Sequence, residues 1–475
     1  MIPVIGVMEK AILTLFSVTL LVSFSNAQLP SNQLIGINYG RQGTNLPSPY
    51  ETIERLKAMK VNRVKIYDSD HEILKLLSGT SIRVTIMVPD DSIPDIAANQ
   101  SAANLWVHDN ILAFLPETMI RGVLVGNEIL GDSRAQSLSF HVVPAMRNIK
   151  KTLNHHNIHN IKVGTPVAMD VVETTFPPSN GRFRSDIPRE EILLPLLNFL
   201  NRTSSYFFLD VYPYFSWSAS PHNVSLDAAL LREGNQTAVV DPATGLAYTN
   251  LLDQMLDSVA FAMQDLGFNG VKIAISETGW PNAGDLDQPG ANIHNAAAYN
   301  RNLVRKITSN PPLGTPARPG QAVPTFVFSL YDEDRKSGPG TERHWGILRP
   351  NGNPVYELNL TGAVPESEYP PLPQPDNNEP YEGNLWCVVA SGVRVFELGP
   401  AIDFACAAGN GTCDELAPGG NCYEPVSVVS HANYAFSSFW AKFRSRGASC
   451  HFDGLAAMST VNPSHGACKI PSVCV

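Results

Sequence analysis

The chain has 475 residues, with 34 Lys and Arg against 44 Asp and Glu, a formal net charge of -10 and 44% hydrophobic residues. These fractions are close to those of globular proteins and exclude a disordered or fibrous chain. The acidic balance and the lack of a long basic run argue against nucleic acid or an anionic membrane surface as the main partner.

The N-terminal segment has the pattern of a secretory signal. Residues 11–24 form a charge-free apolar run behind Lys10, and residues 25–27 place small side chains where signal peptidase cleaves. The run is shorter than the ~20 residues that a membrane-spanning helix needs. The pattern predicts a signal peptide over 1–27, no membrane anchor and an extracellular product. Sequons for N-glycosylation agree with export, at Asn99, Asn201, Asn223, Asn235, Asn359 and Asn410.

From Leu34 to about Leu330 the chain alternates short apolar runs with longer amphipathic stretches. The runs are LIGINY, RVKIYD, RVTIMV, GVLVGNE, IKVGTPV, FFLDVY, VKIAISE and TFVFSLY. Eight β-then-α units predict an α/β fold, a (β/α)8 TIM barrel forming a catalytic domain over 28–362. A doubly wound open sheet is the alternative, but GINYGRQG lacks the GxGxxG spacing that usually follows its first strand.

The barrel pattern is followed by a linker and a second, smaller domain. Residues 363–383 hold six prolines and five acids with no Lys or Arg, which predicts a semi-rigid extended spacer. Residues 384–475 carry all the cysteines, as expected of a small disulfide-rich secreted domain. Six cysteines allow 15 pairings, and the seventh is left free or pairs between chains. The cysteines are Cys387, Cys406, Cys413, Cys422, Cys450, Cys468 and Cys474.

The ends of the barrel strands carry the candidate chemistry, because catalytic groups of such barrels lie on the C-terminal face. The polar strand ends are Tyr39, Asp68, Glu128, Tyr212, Glu277 and Glu333. Glu128 and Glu277 follow strands four and seven, which lie across the barrel mouth from each other. Two carboxyl groups facing each other are the arrangement that glycoside hydrolysis requires. The alternative is that each Glu is a helix cap or an ion-pair partner.

Neighbouring side chains favour a carbohydrate cleft. Asn127 could donate to or accept from a sugar hydroxyl, and the aromatic faces of Trp280, Tyr212 and Tyr214 could stack on a pyranose ring. Motifs of other chemistries are missing, since the sequence has no GxxxxGK[ST], HExxH or GxSxG and no cysteine in the barrel region. His155, His156 and His159 are interpreted as solvated surface. We therefore expect no metal and no cofactor.

The segments GINYG, VKIYDSD, VLVGNE, DVYPYF, ISETGWPNAGD and ERHWGIL closely resemble the plant family 17 glycoside hydrolases, the β-1,3-glucanases. The likeness covers roughly residues 33–360. It implies a retaining endo-hydrolase with Glu128 as acid/base and Glu277 as nucleophile. It also implies that three charged residues line the cleft, namely Glu333, Lys336 and Glu342. The chain departs from the family at Asp210, where Asn is usual, in the YDED run and at Trp345.

The C-terminal region, over 385–470, is similar to the family 43 carbohydrate-binding modules in WCV, IDFAC, GGNC, HANYAF and NPSHGAC. Cys406 and Cys413 are near enough in sequence to close a local loop around the Asn410 sequon. The likeness implies the pairs Cys387 with Cys450 and Cys422 with Cys468, leaving Cys474 unpaired. Candidate stacking residues of the module are Tyr434, Phe436 and Trp440.

Three functional hypotheses follow. The first is an exported β-1,3-glucan endohydrolase with a tethered glucan-binding module, acting as a monomer in the apoplast or cell wall. The second is a β-1,3-glucan transglucosylase, which uses the same two acids but transfers the glycosyl group to another sugar. The third is a wall glucan-binding protein without activity, against which the intact Glu128 and Glu277 argue. The sequence leaves open the chain-length preference, which sequons carry glycans, and whether the biological role is defence or wall remodelling.

Overall fold

A computed structural model describes residues 33–131, 135–232, 234, 238–409 and 411–475. The predicted signal peptide and the sequons at Asn235 and Asn410 lie outside these residues. Within the described part of the chain, no helix combines the length and apolar character needed to cross a bilayer.

Eight parallel strands form the barrel, and the predicted (β/α)8 fold is confirmed. The strands are β1 Ile35–Tyr39, β2 Arg63–Ile66, β3 Arg83–Val88, β4 Ile120–Val125, β5 in two pieces Lys162–Gly164 and Pro166–Ala168, β6 Tyr206–Asp210, β7 Lys272–Thr278 and β8 Thr325–Val327. Successive strands pair from β1 to β8, and β8 also pairs with β1. The first piece of β5 pairs with β4 and the second with β6, so the sheet closes across Thr165. Closure rules out the doubly wound open sheet.

Helices cover the outside of the barrel. They are α1 Pro49–Ala58, α2 His71–Leu76, α3 Ile93–Ala98, α4 Gln100–Asn110, α5 Gln136–His155, α6 Leu194–Arg202, α7 Pro213–Ser218, α8 Leu226–Ala229, α9 Leu251–Asp265 and α10 Ile293–Ile307. Polar caps start several of them, as where Ser48 accepts from the backbone of Glu51 while the Glu51 side chain accepts from the backbone of Ser48. One large apolar cluster fills the space between helices and strands. A smaller cluster inside the barrel is made by Met87, Leu124, Phe208 and Ala274.

The segment 363–383, predicted to be a semi-rigid extended spacer, makes several contacts with the barrel. The backbone N–H of Gly290 donates to the carbonyl of Asn377 at 2.6 Å, and Asn295 Nδ2 donates to Asn378 Oδ1 at 2.7 Å. Arg301 pairs with Glu366 at 2.7 Å and stacks on the ring of Tyr369. The segment has no core of its own, but the barrel supplies partners for its polar groups.

The C-terminal module is a small sheet packed on two helices. Its strands β9 Asn384–Val389, β10 Ala456–Ser459 and β11 Val473–Cys474 are antiparallel, with β9 in the centre. Its helices are α11 Leu398–Ala407 and α12 Val428–Phe443. The three expected disulfides are present, Cys387–Cys450, Cys406–Cys413 and Cys422–Cys468, while Cys474 is exposed and unpaired. Arg444 of the module pairs with Asp287 of the barrel at 3.2 Å.

Candidate active site

A cleft of about 1080 Å³ opens at the C-terminal ends of the barrel strands, where such barrels place their active sites. Eight of the nine cleft residues expected from the sequence line it, and Trp280 is the exception. The eight are Tyr39, Asn127, Glu128, Tyr212, Glu277, Glu333, Lys336 and Glu342.

The carboxylate of Glu277 is the most strongly held group in the cleft. Lys65 Nζ and the hydroxyl of Tyr67 each donate to Oε1 at 2.6 Å, and the hydroxyl of Tyr212 donates to Oε2 at 2.7 Å. Burial by itself would raise the pKa of Glu277, but the charge of Lys65 and these hydrogen bonds outweigh it and lower that pKa below its ordinary value. Glu277 is therefore ionised and oriented at mildly acidic and neutral pH.

Glu128 has the opposite electrostatic environment. It follows Gly126 in the turn after β4 with a φ of 52°, in the left-handed region that side chains other than Gly seldom occupy. Burial, followed by the negative charge of Glu277, raises the pKa of Glu128 to about 7, although Lys65 acts to lower it. Two carboxyl groups in one cleft thus hold different protonation states, which is the usual mark of an acid and nucleophile pair.

Sequence reasoning missed Lys65 and Tyr67, the two groups of β2 and its end that contact Glu277. Along β2, Val64 and Ile66 belong to the apolar cluster under the helices, so the alternate residues turn toward the barrel interior. A fully buried lysine needs a counter-ion. The counter-ion of Lys65 is Glu277, which lies 212 positions later in the sequence. The signal was available, because RVKIYD places the cation Lys65 between the apolar residues Val64 and Ile66.

Charged residues from the loop after β8 form one wall of the cleft. Glu333 Oε1 accepts from the backbone N–H of Gln42 at 2.7 Å, and Lys336 Nζ lies 3.9 Å from Glu333 Oε2 and above the ring of Phe328. Burial raises the pKa values of Glu333 and Glu342, and the charge of Lys336 opposes the shift at both. These groups can hydrogen-bond to sugar hydroxyls along the cleft.

Asn127 lies beside Glu128 at the cleft wall. Its backbone N–H donates weakly to Asp90 Oδ1 at 3.3 Å. Its own Oδ1 is buried without a hydrogen-bond partner among the described residues. A buried amide oxygen without a protein partner at a cleft wall is suited to accept from a ligand hydroxyl.

The aromatic predictions need a correction. Trp280 is fully buried and does not line the cleft, because its indole turns away from the barrel mouth, donates to the carbonyl of Gly290 at 2.8 Å and packs against Trp217 and Tyr299. Tyr214 is buried against Trp280 in the same cluster. The aromatic side chains that do line the cleft are Tyr39, Tyr67, Tyr212, Phe215, Phe328 and Trp345.

The stacking residues expected in the module were also wrong. Tyr434, Phe436 and Trp440 are all buried, because they lie on the face of α12 that packs against β9 and the disulfides. The large exposed aromatic side chains of the module are instead Phe396, 74% exposed, and Phe404, 61% exposed.

In the described ranges, no three His, Cys, Asp or Glu side chains are grouped so as to hold a metal ion. His155, His156 and His159 are exposed at the end of α5, in agreement with their interpretation as surface residues.

Comparisons with known proteins agree with this geometry. The profile of glycosyl hydrolases family 17 matches residues 35–360, and that of the X8 domain matches residues 385–457. A probable glucan endo-1,3-beta-glucosidase, A6 of Arabidopsis thaliana, is 56% identical over 439 residues, which cover 92% of this chain and 91% of that protein. Glucan endo-1,3-beta-glucosidase 3 of the same plant is 37% identical, covering 97% of this chain and 88% of that protein.

Two kinds of solved structure are similar to the barrel. CJP38, a beta-1,3-glucanase and allergen of Cryptomeria japonica pollen, has a TM-score of 0.64 and 38% identity, covering 69% of this chain and 98% of that chain. A plant beta-glucan endohydrolase has a TM-score of 0.62 and 32% identity, covering 68% of this chain and 99% of that chain.

Proposed function

This chain belongs to glycosyl hydrolase family 17, and on that basis we propose that it is a secreted endo-hydrolase of β-1,3-glucans that retains the anomeric configuration. One observation carries the mechanism: Glu277 is held as an anion by three donors, while Glu128 in the same cleft keeps its proton up to about pH 7. A nucleophile and a general acid are the two groups that a retaining glycosidase needs.

In the first step the carboxylate of Glu277 attacks the anomeric carbon and the glycosidic C–O bond breaks. Glu128 gives its proton to the departing oxygen, so the leaving sugar departs as a neutral alcohol and a glycosyl ester forms on Glu277. In the second step Glu128, now a carboxylate, takes a proton from water. The resulting hydroxide oxygen bonds to the anomeric carbon, and the ester bond to Glu277 breaks.

The hydrogen-bond donors around Glu277 assist both steps of the reaction. Lys65, Tyr67 and Tyr212 stabilise the carboxylate before attack and again when it leaves in the second step. Esterification removes the charge of Glu277, one of the causes that raise the pKa of Glu128. The pKa of Glu128 then falls, which suits its change from acid to base.

The test is hydrolysis of laminarin by the full chain, followed by proton NMR from the first turnover. We expect new reducing ends and a β-anomer as the first product. An α-anomer would contradict retention. Longer oligosaccharides formed without a net gain of reducing ends would indicate the transglucosylase, and unchanged laminarin would indicate a binding protein.

For the C-terminal module we propose the glucan-binding role of a family 43 module, with its binding face at Phe396 and Phe404. Both residues belong to the stretch of α11 and the turn before it, and Phe404 contacts the partly buried Phe439 and Phe452. Exposed aromatic surface of this kind is typical of interaction sites. A module held next to the barrel keeps the polymer close to the cleft.

Export and a monomeric state complete the proposal. Of the four sequons in the described residues, Asn99, Asn201 and Asn223 are exposed and Asn359 is partly buried, so at least three can accept a glycan without unfolding. Mass spectrometry of the protein from the culture medium of plant cells tests both export and cleavage after Ala27. A product that starts at Met1 and stays in the cell would contradict it.

A further inference from the structure

The mechanism leaves one buried carboxyl group of the cleft unused. Asp210 ends β6, lines the cleft and is 1% exposed. It is the register partner of Glu277 on the neighbouring strand β7, so the two carboxyl groups lie side by side. A third acid beside an acid and nucleophile pair needs an explanation, because buried carboxylates are costly unless they are paired.

One oxygen of Asp210 has a hydrogen-bond donor and the other has no partner among the described residues. Its Oδ1 accepts from the hydroxyl of Ser276 at 2.5 Å. Its Oδ2 is buried and has no hydrogen-bond partner among the described residues. An ionised carboxylate would leave negative charge on an oxygen without a donor, whereas a neutral acid carries an O–H there that can donate to a ligand oxygen.

The charges around Asp210 lead to the same conclusion. The groups that act on it are two carboxyls, one ammonium and two phenols, belonging to Glu277, Glu128, Lys65, Tyr67 and Tyr212. The single cation, Lys65, already donates to Glu277. Ionisation of all three acids would place three negative charges against one positive charge in a buried space. Burial and the charge of Glu277 raise the pKa of Asp210 well above its ordinary value.

We propose that Asp210 is a positioning residue that stays protonated through the reaction and donates from Oδ2 to the sugar bound against Glu277. Its neutrality means that Glu277 does not share Lys65 with a second anion on the neighbouring strand. The proposal rests on the hydrolytic function above, since it assigns a donor to the sugar that Glu277 attacks.

The first test is the pH dependence of kcat/KM for the full-length D210N variant on laminarin. Asn keeps the size and a donor, so we expect less than a tenfold loss of kcat/KM and an alkaline limb that does not move. If Asp210 were an anion, its removal would lower the pKa of Glu128, and the alkaline limb would move to lower pH. That shift would overturn the proposal, as would equal losses in D210N and D210A, because Ala removes the donor.

Asp170 gives the matched control for this measurement. It is a 60% exposed cleft carboxylate whose charge also raises the pKa of Glu128. D170N removes a charge that is present at neutral pH, so its alkaline limb should move to lower pH. The pair of variants therefore separates the loss of a charge from the loss of a neutral carboxyl group.

A second test does not depend on activity. The infrared difference spectrum of the resting wild-type protein minus D210N, at neutral pH, should contain the C=O band of one protonated carboxylic acid. A carboxylate band in its place would overturn the proposal. Because the spectrum is recorded without substrate, it stands even if laminarin is not the substrate, and so the two proposals fail separately.

Discussion

The barrel and the C-terminal module are stabilised in different ways. The barrel has no cysteine and buries one continuous apolar cluster that spans its strands and helices. The module divides its buried side chains into two small clusters, one containing Cys387 and Cys450 and the other Cys422 and Cys468. A domain of this size buries too small a fraction of its surface, and crosslinks inside each cluster compensate. The barrel accordingly holds costly buried ionisable groups such as Lys65 and Glu277, whereas the buried polar side chains described in the module are the uncharged Thr412, Ser437 and Ser438.

The largest expected effect comes from removing one of the two catalytic carboxyl groups of the barrel, Glu128 or Glu277. E128Q should lose about 10²–10⁴-fold in kcat, the range for removal of a general acid, and E277A should lose at least as much. Both proteins should remain folded by circular dichroism and should still bind insoluble glucan through the module.

Azide should restore activity in E277A by giving an α-glycosyl azide, while in E128A it should give a β-glycosyl azide from a substrate with a good leaving group. Residual activity together with lost stability would instead indicate structural glutamates.

Glu128 and Glu277 also determine how the activity and the stability of the barrel depend on pH. Activity should fall tenfold per pH unit above about pH 7, where Glu128 loses its proton, and the acid limb should lie below the ordinary Glu value because the pKa of Glu277 is lowered. A raised pKa in the folded state means that the contribution of Glu128 to stability is present at low pH and is lost as the pH rises through about 7. Glu277 acts in the opposite sense, and its contribution is lost as the pH falls through its lowered pKa. Laminarin kinetics and urea unfolding between pH 3 and 9 (roughly the range of both groups) check both signs.

Removing one disulfide should destabilise the C-terminal module without affecting the barrel. The C387A/C450A variant should destabilise the module by ~2–5 kcal/mol and leave the barrel transition unchanged, because the barrel contains no disulfide. Calorimetry of the full chain should resolve the two transitions. C474S serves as the control, since Cys474 is unpaired and exposed, and an equal shift of both transitions would contradict independent stabilisation.

A smaller effect is expected from the linker, whose contacts should contribute to the stability of the barrel. N378A removes one of two acceptors of Nδ2 in the buried Asn295 and one of two in Asn292, which should cost about 0.5–1.5 kcal/mol of barrel stability. The exposed Gln374 gives the control, and Q374A should leave the barrel transition in place. If N378A also had no effect, the contacts of the linker with the barrel would contribute nothing to barrel stability.

The smallest effect concerns the surface of the module. F404A should weaken retention on curdlan about tenfold, which corresponds to ~1.4 kcal/mol, with turnover of short soluble oligosaccharides unchanged. V461A removes an equally exposed apolar side chain elsewhere on the module and should bind as the unmodified chain does. Equal retention by F404A and the unmodified chain would place the glucan-binding face elsewhere.

Much of this molecule could be predicted from the sequence. The eight apolar runs gave the strands of the barrel, because a strand buried on both faces must be apolar along its length. Glu128 and Glu277 could be selected because each stands at the end of an apolar strand, where such barrels place catalytic groups, and because neighbouring polar and aromatic residues favoured a carbohydrate cleft. The disulfide pairs came from the resemblance to a known module, since spacing alone left 15 pairings open.

Only the tertiary structure decided which side chains meet and which become buried. Lys65 and Glu277 are 212 positions apart, and their contact fixes the protonation states of the cleft. Trp280 and Trp440 look like sugar-stacking residues in the sequence but are covered by neighbours from distant segments. Linker residue Asn378 similarly gains its partners from α10 and the turn before it. Periodicity records which face of an element is apolar, whereas burial of one ring and the charge of one carboxyl depend on the elements that pack around it.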